Sequence, residues 1–262
     1  YSFVEPEYGE LACGYNGMGR LANLKKILDR VELFLKQRND LRGKKILVTA
    51  GATIEEIDTV RVITNRSSGK MGMSIAEQAF LRGADVILLR GHNSIEPNYN
   101  INEEKFTTVD DLYDKIKKHI NNIGIVIHSA AVSDFTVNNK ITAKIKSTDK
   151  LHLELTPTTK IFEKLKNINK KIFLVGFKAE YNILKNNLIN SASDILKKAN
   201  ADLVVANDVG KKGRGFEVDT NEVFVVDKNK NVEHISLADK RVVADKVLDT
   251  IVENVNKKAL LK

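Results

Sequence analysis

From Lys44 onward, short apolar runs alternate with stretches whose apolar residues recur at helical spacing. Five runs have the length and density of strands buried on both faces: Lys45–Thr49, Asp85–Leu89, Ile123–His128, Lys171–Val175 and Leu203–Ala206. Between and after them the period shifts to about 3.6, which predicts helices over Ser68–Arg82, Val109–Asn121, Thr158–Lys166, Ile183–Ala199 and Ala238–Asn254. Glu222–Val226 and Val232–Ile235 flank the turn Asp227-Lys228-Asn229-Lys230 and read as a C-terminal hairpin. Strands alternating with crossover helices define an α/β fold, here a Rossmann-like, mainly parallel sheet with helices on both faces.

Three further zones complete the pattern. Tyr1 to Ala22 has little periodicity and carries Gly14, Gly17 and Gly19 close to Cys13. Asn23–Arg42 is amphipathic, with Leu24, Ile27, Leu28, Val31, Leu33, Phe34 and Leu35 near one helical face, and Gly43 ends it. Asn138 to Leu151 fits neither period; it is polar, rich in lysine, and predicts a long flap. The expected organisation is therefore a tail over 1–22, a linker helix over 23–42 and one domain over 43–262.

Composition narrows the chemistry. Lys and Arg total 42 against 34 Asp and Glu, a net charge of +8 over 262 residues. Such a balance favours anionic partners. The basic residues are interleaved with acids, without an arginine-rich arm, so a solvated surface is expected rather than a nucleic-acid partner. A single cysteine excludes an internal disulfide and a multi-cysteine zinc site, and the five histidines show no paired ligand spacing. The longest uncharged apolar run, about Ile123 to Ser133, is roughly half of what a membrane span needs, so no membrane association is expected.

A doubly wound sheet binds ligands beyond the carboxyl ends of its strands, which directs attention to Ala50–Lys70, Ser129–Phe135, Gly176–Glu180 and Asn207–Gly215. In Thr64–Gly72, Ser67 or Ser68 is a natural N-cap, and Ser67, Ser68 and Gly69 open a helix whose free N–H groups suit an anion. The segment is not a Walker A loop, because Thr64 stands at the first glycine position and Met71 where Ser or Thr would meet magnesium. No G-x-G-x-x-G follows the first strand either. His128–Asp134 ends a buried strand in small residues, and Asp134 could hold a hydroxyl or a metal, or simply cap a turn. Lys140, Lys144 and Lys146 share one side of an extended chain; they could neutralise phosphate charge or line a solvated loop. Phe177 could stack on a base or plug the core. Tyr113–Lys117 and Tyr181–Lys185 both match the Y-x-x-x-K spacing of short-chain dehydrogenases, but the glycines those enzymes need after the first strand are missing.

Taken together, Val48–Thr53, Asp58–Arg61, Asn65–Gly72, Ala130–Asp134, the lysine-bearing flap, Gly176-Phe177 and Ala206–Val209 resemble the phosphopantothenate–cysteine ligase family, the synthetase half of the bifunctional coenzyme A biosynthesis protein. Leu11–Gly14 with Gly17–Arg20 resembles the last, substrate-clamping segment of the flavin-dependent decarboxylase half, in which Cys13 would be the proton donor.

The ligase resemblance implies that the carboxylate of 4′-phosphopantothenate attacks the α-phosphate of CTP and releases pyrophosphate. The amine of L-cysteine then displaces CMP from the acyl-cytidylate. By the same resemblance Asn65 binds the acyl carbonyl and its oxyanion, Arg61 orients phosphopantothenate and Lys144 meets the triphosphate. Ala130, Ala131, Asp134, Thr159, Lys160, Ile161, Phe162, Phe177 and Lys198 would bind the nucleotide. Thr159 and Lys160 depart from the family's usual Pro-Asp, and Ile195 and Ala199 stand where the family tends to place lysines, with Lys197 and Lys198 beside them. Mg²⁺ or Mn²⁺, with ligands unassigned, a homodimer and a cytoplasmic setting are also implied, while FMN is not expected in this chain. The alternative is a noncatalytic nucleotide- or nucleic-acid-binding α/β module.

Overall fold

The computed structural model describes residues 3–24, 26–28, 31, 38–138, 143–144 and 151–260, without the side chains of 259 and 260. Its centre is an eight-stranded sheet. The strands are β3 (Lys45–Ala50), β6 (Asp85–Gly91), β7 (Asn102–Phe106), β8 (Ile125–His128), β11 (Phe173–Glu180), β12 (Leu203–Asp208), β13 (Thr220–Asp227) and β14 (Val232–Asp239). They lie in the order β14-β13-β12-β11-β8-β3-β6-β7, and the six from β12 to β7 are parallel. Counted among themselves, those six follow the Rossmann order 3-2-1-4-5-6, which places the topological switch between β3 and β8.

Period-two alternation explains the two cores. Ile46, Val48 and Ala50 point to one face and pack with Met73, Ile75 and Ala76 of α1 (Lys70–Leu81) and with Val243, Val247 and Ile251 of α5 (Lys240–Leu260). Leu47, Val126, Leu174 and Val204 point to the other face. They meet α2 (Val109–His119), α3 (Ile161–Ile168) and α4 (Lys185–Lys198) through Leu112, Ile116, Leu165, Leu188 and Leu196. Burying each such aliphatic side chain contributes about 1.5–3 kcal/mol, and doing so on both faces makes the strands legible as near-continuous apolar runs.

All five expected strands and the hairpin form. Asp227 Oδ1 accepts from the amides of Asn229 and Asn231, each at 2.8 Å, and closes the hairpin turn. Several bounds differ. β11 continues to Glu180 because Phe177–Glu180 pairs with Val205–Asp208, so Gly176–Glu180 is strand rather than loop. α3 starts at Ile161, not Thr158, and α5 at Lys240, since β14 runs through Asp239. β7 was not expected: Asn-Glu-Glu-Lys-Phe is a charged edge strand, which sequence periodicity does not reveal. Three two-stranded ribbons were also unexpected: β1 (Glu7–Glu10) with β2 (Asn16–Arg20), β4 (Ile54–Glu56) with β5 (Val62–Thr64), and β9 (Phe135–Val137) with β10 (Leu155–Pro157). The last forms the root of the expected flap; Lys140 and Lys146 lie outside the described residues, as does much of the expected 23–42 helix. Among the described residues no helix is long and apolar enough to cross a membrane.

Candidate active site at the sheet switch point

Beyond β3 and β8 the two chains stay in register. Ala52 bridges Ala131, the amide of Ala131 donates to the Gly51 carbonyl (2.8 Å), and that of Thr53 donates to the Ala131 carbonyl (3.2 Å). Buried threonines tie the same segment from below. Thr49 Oγ1 accepts from the Ala130 amide at 3.1 Å and Thr53 Oγ1 from the Ser133 amide at 2.9 Å. The sequence of small residues therefore becomes a backbone ledge.

His128 sits under this ledge, 3.0 Å from Thr49 Oγ1, and stacks on Phe162 with ring centroids 6.0 Å apart. Burial pushes its imidazole down to about 4, so it is neutral at physiological pH. Phe162 reaches this place because Gly176 gives way. A Cβ there would stand 2.2 Å from the phenyl ring, so glycine is what lets the ring lie against β11.

A cleft of about 300 Å³ opens over the ledge, at the small end of the range for small-molecule sites. Ser67, Gly69, Ala130, Ala131, Asp134, Thr159, Lys160, Ile161, Phe162 and Phe177 all line it. Asn65 stands at its rim, donating through Nδ2 to the Ala131 carbonyl at 3.2 Å. Lys160 Nζ pairs with Asp134 Oδ1 at 2.5 Å across the exposed end, an ion pair that solvent screens.

The start of α1 differs from its sequence reading. Neither Ser67 nor Ser68 caps the helix: Gly69 occupies the cap position with φ 80°, and no side chain bonds there. Ser68 Oγ donates instead to the Phe216 carbonyl at 2.5 Å. The cap exchange leaves the first-turn amides of Lys70, Met71 and Gly72, all lining the cleft, without a side-chain acceptor. Helix N-termini in that state attract anions.

Six expected site residues do not line the cleft: Asn65, bonded to the Ala131 carbonyl at its rim, Ser68, turned to Phe216, and Arg61, Lys144, Lys198 and Cys13. Arg61 lies in the β4–β5 turn, its guanidinium 2.5 Å from Asp58 Oδ2, while Asp58 Oδ1 accepts from the amides of Val60 and Arg61 at 2.7 Å. Lys144 is exposed. Lys198 is exposed in the last turn of α4, and Ile195, three residues earlier, reaches the cleft in its place. Cys13 is exposed in the turn between β1 and β2.

Asn207, from the Ala206–Val209 motif, and Lys240, from no motif, add to the lining. Asn207 lines the cleft and donates to Asn221 Oδ1 (3.3 Å). Its neighbour Asp208 turns away and accepts from the amides of Asn182, Ile183 and Gly210. Lys240 is buried, lines the cleft, and has no local signature because it is brought in by the last helix. Burial and the neighbouring Lys70 charge push its ammonium down to about 8, partly opposed by Asp219 and Asp239.

Among the described residues no three His, Cys, Asp or Glu side chains converge as a protein-only metal cage. Asp134 and Glu163 are the carboxylates lining the cleft. One or two carboxylates completed by phosphate oxygens and waters suit Mg²⁺, so the donor set fits an ion that arrives with a polyphosphate.

An α/β fold of Rossmann strand order thus carries, at its switch point, a cleft bordered by an uncapped helix start and a backbone ledge. The chain belongs to the family described as the DNA/pantothenate metabolism flavoprotein C-terminal domain, whose pattern matches residues 41–255. It is 40% identical over 251 residues to the coenzyme A biosynthesis bifunctional protein CoaBC of Thermococcus kodakarensis, covering 95% of this chain and 59% of that protein. Identity to CoaBC of Bacillus subtilis is 37% over 257 residues, covering 96% and 62%. A crystal structure of the C-terminal domain of CoaBC superposes with a TM-score of 0.70 at 33% identity, covering 84% of this chain and 99% of that one. The chain spans about three fifths of the length of these two relatives.

Proposed function

We propose that the chain is a phosphopantothenate–cysteine ligase that joins 4′-phosphopantothenate to L-cysteine through an acyl-cytidylate, converting CTP to CMP and pyrophosphate. The carrying observation is the meeting, at one cleft, of the uncapped α1 start, the Ala130-Ala131 ledge and Asn65 at the rim. Membership in the family, and the name of its coenzyme A biosynthesis relatives, point the same way.

A carboxylate does not react with an amine at neutral pH because its oxygen is too poor a leaving group. Activation therefore comes first. The pantothenate carboxylate oxygen attacks the α-phosphorus, the bond to the β-phosphate oxygen breaks, and pyrophosphate leaves. Two anions must meet for this, so the protein has to orient and neutralise them. The α1 amides and Lys70 receive phosphate oxygens, Phe162 and Phe177 pack against the base and sugar, and Lys144 from the flap offsets the triphosphate charge. Thr159, Lys160 and Ile161 offer backbone contacts at the same end, and Arg61 orients phosphopantothenate. A magnesium ion held by Asp134 and phosphate oxygens supplies further charge neutralisation when bound.

In the second half-reaction the cysteine amine attacks the acyl carbon, loses a proton, and CMP departs with the electrons of the anhydride bond. Asn65 Nδ2, now shared with the Ala131 carbonyl, turns to the oxyanion that forms. A homodimer and a cytoplasmic setting belong to the same reading, and decarboxylation belongs to the longer bifunctional relatives.

The test is a ligation assay with phosphopantothenate, cysteine, Mg²⁺ and either CTP or ATP. Phosphopantothenoylcysteine, CMP and pyrophosphate should form in equal amounts with CTP. Absence of the ligated product with both nucleotides overturns the reading.

A further inference from the structure

Residues 209–219 connect β12 to β13 and supply Gly215 and Phe216 to the cleft wall. Surface loops ordinarily leave their carbonyls to water. Here five successive ones are taken by two helix starts, that of α1, which lies 147 or 148 residues earlier, and that of α5. The Gly215 carbonyl accepts from Lys240 Nζ (2.9 Å), Phe216 from Ser68 Oγ (2.5 Å), Glu217 from Lys70 Nζ (2.7 Å), Val218 from Lys240 Nζ (2.5 Å) and Asp219 from the Lys240 amide (2.8 Å). Thr220 Oγ1 holds the Gly213 carbonyl at 2.6 Å, and Arg214 pairs with Glu222. The loop is thus a strap fastened across the beginnings of α1 and α5.

Lys240 is the central fastening, since it alone bonds three of the five carbonyls. It does so while buried, and both acceptors of its ammonium are neutral carbonyls. Burying an ammonium against neutral acceptors is costly, and a hydroxyl could have tied the same loop more cheaply, as Ser68 does. What the ammonium adds is a positive charge at the cleft wall, beside the α1 amides and Lys70. Asp219, the carboxylate at the end of the strap, is already engaged by Lys70 at 2.7 Å.

We propose that Lys240 is a positioning residue for the nucleoside triphosphate: by holding the strap against the first turn of α1, it fixes the wall formed by Gly215 and Phe216 and thereby sets nucleotide affinity. The inference rests on the ligase reading of the cleft, and its test separates the two. CTP dissociation constants and steady-state kinetics are measured for the unaltered chain, Lys240→Met, Lys240→Arg and Ser68→Ala, together with the rate of trypsin cleavage after Arg214.

Loss of a charge-assisted tie should weaken CTP binding about 10-fold or more in Lys240→Met. KM for cysteine should stay within about 2-fold, because the second substrate does not meet this wall. Cleavage after Arg214 should accelerate by about 10-fold as the strap loosens. Lys240→Arg, which keeps the cation, should recover most of the affinity. Ser68→Ala, which removes one tie at the surface, should shift both readouts in the same direction by a smaller factor, and decides the matter should Lys240→Met not fold. Faster cleavage with unchanged CTP affinity would make Lys240 a fold-stabilising tie only and overturn the proposal, as would no change in either readout. An unaltered chain that binds no CTP overturns the reading of the cleft itself, whatever the strap does.

Discussion

Two buried lysines sit at opposite edges of the same sheet, and they are held in opposite ways. Lys166, at the amino-terminal edge, lies 2.6 Å from the buried Asp202 and also donates to the Ile172 carbonyl at 2.5 Å. Asp202 in turn accepts from the Leu174 amide and from Lys258, both on the protein's own frame. Burial alone would raise its carboxyl, but Lys166, the amide and Lys258 hold it below the usual carboxylate range. Lys166, Lys228 and Lys258 all face that one carboxylate. Lys240, at the carboxyl-terminal edge, meets only carbonyls through its ammonium. The difference lies in the partners: the amino-terminal edge sets its buried lysine against a buried carboxylate, whereas the carboxyl-terminal edge sets its own against backbone carbonyls beside the cleft.

The comparison can be broken most forcefully at Asp202. Asp202→Ala would strand Lys166 as an unpaired buried charge, which costs about 3–5 kcal/mol. A urea midpoint lowered by that amount, with CTP affinity per folded molecule unchanged, is the expected outcome. If stability held and CTP affinity fell, the amino-terminal edge would be part of the site and the contrast between edges would be lost.

A somewhat smaller effect sharpens the picture of the cleft floor. His128 is neutral in the folded chain, with its imidazole near 4 against 6.5 when unfolded. Its contribution is therefore fully present above about pH 6.5 and is lost as pH falls toward 4, because the unfolded chain takes up the proton first. A shift of that size amounts to about 3 kcal/mol. Other carboxylates titrate in the same window, so the quantity to measure is the difference in urea stability between the unaltered chain and His128→Gln. That difference should shrink between pH 7 and pH 4.5; a constant difference would mean the imidazole takes up its proton as readily in the fold as in the unfolded chain.

Much of this architecture was legible because both faces of the central strands are buried. Leu47 and Val48 belong to different cores, so each strand reads as an unbroken apolar run. β7 was not legible, since an edge strand of sequence Asn-Glu-Glu-Lys-Phe carries its charges to discourage further pairing. The candidate site was readable where it follows a parallel strand, because the switch-point rule directs ligands there; the Ala130–Asp134 ledge beyond β8 is the example. It was unreadable where distant chain takes over. Ser68 has the composition of an N-cap, yet the Phe216 carbonyl, 148 residues away, claims its hydroxyl. Lys240 and Asn221 come from elements added antiparallel or after the sheet is complete, and no local pattern marks them. Lys198 and Ile195 differ by three residues on one helix, and burial of the α4 face decides which one meets the cleft.

The most direct test of the central claim isolates the first half-reaction. The chain is mixed with phosphopantothenate, Mg²⁺ and CTP labelled at the α-phosphate, without cysteine, alongside Asn65→Ala. Pyrophosphate and a labelled acyl-cytidylate should form in both, and adding cysteine should discharge the label as CMP about 10²–10³-fold more slowly in the variant, as expected for loss of one oxyanion donor. Release of pyrophosphate only after cysteine is added, or CDP and phosphate in place of CMP and pyrophosphate, would contradict the account.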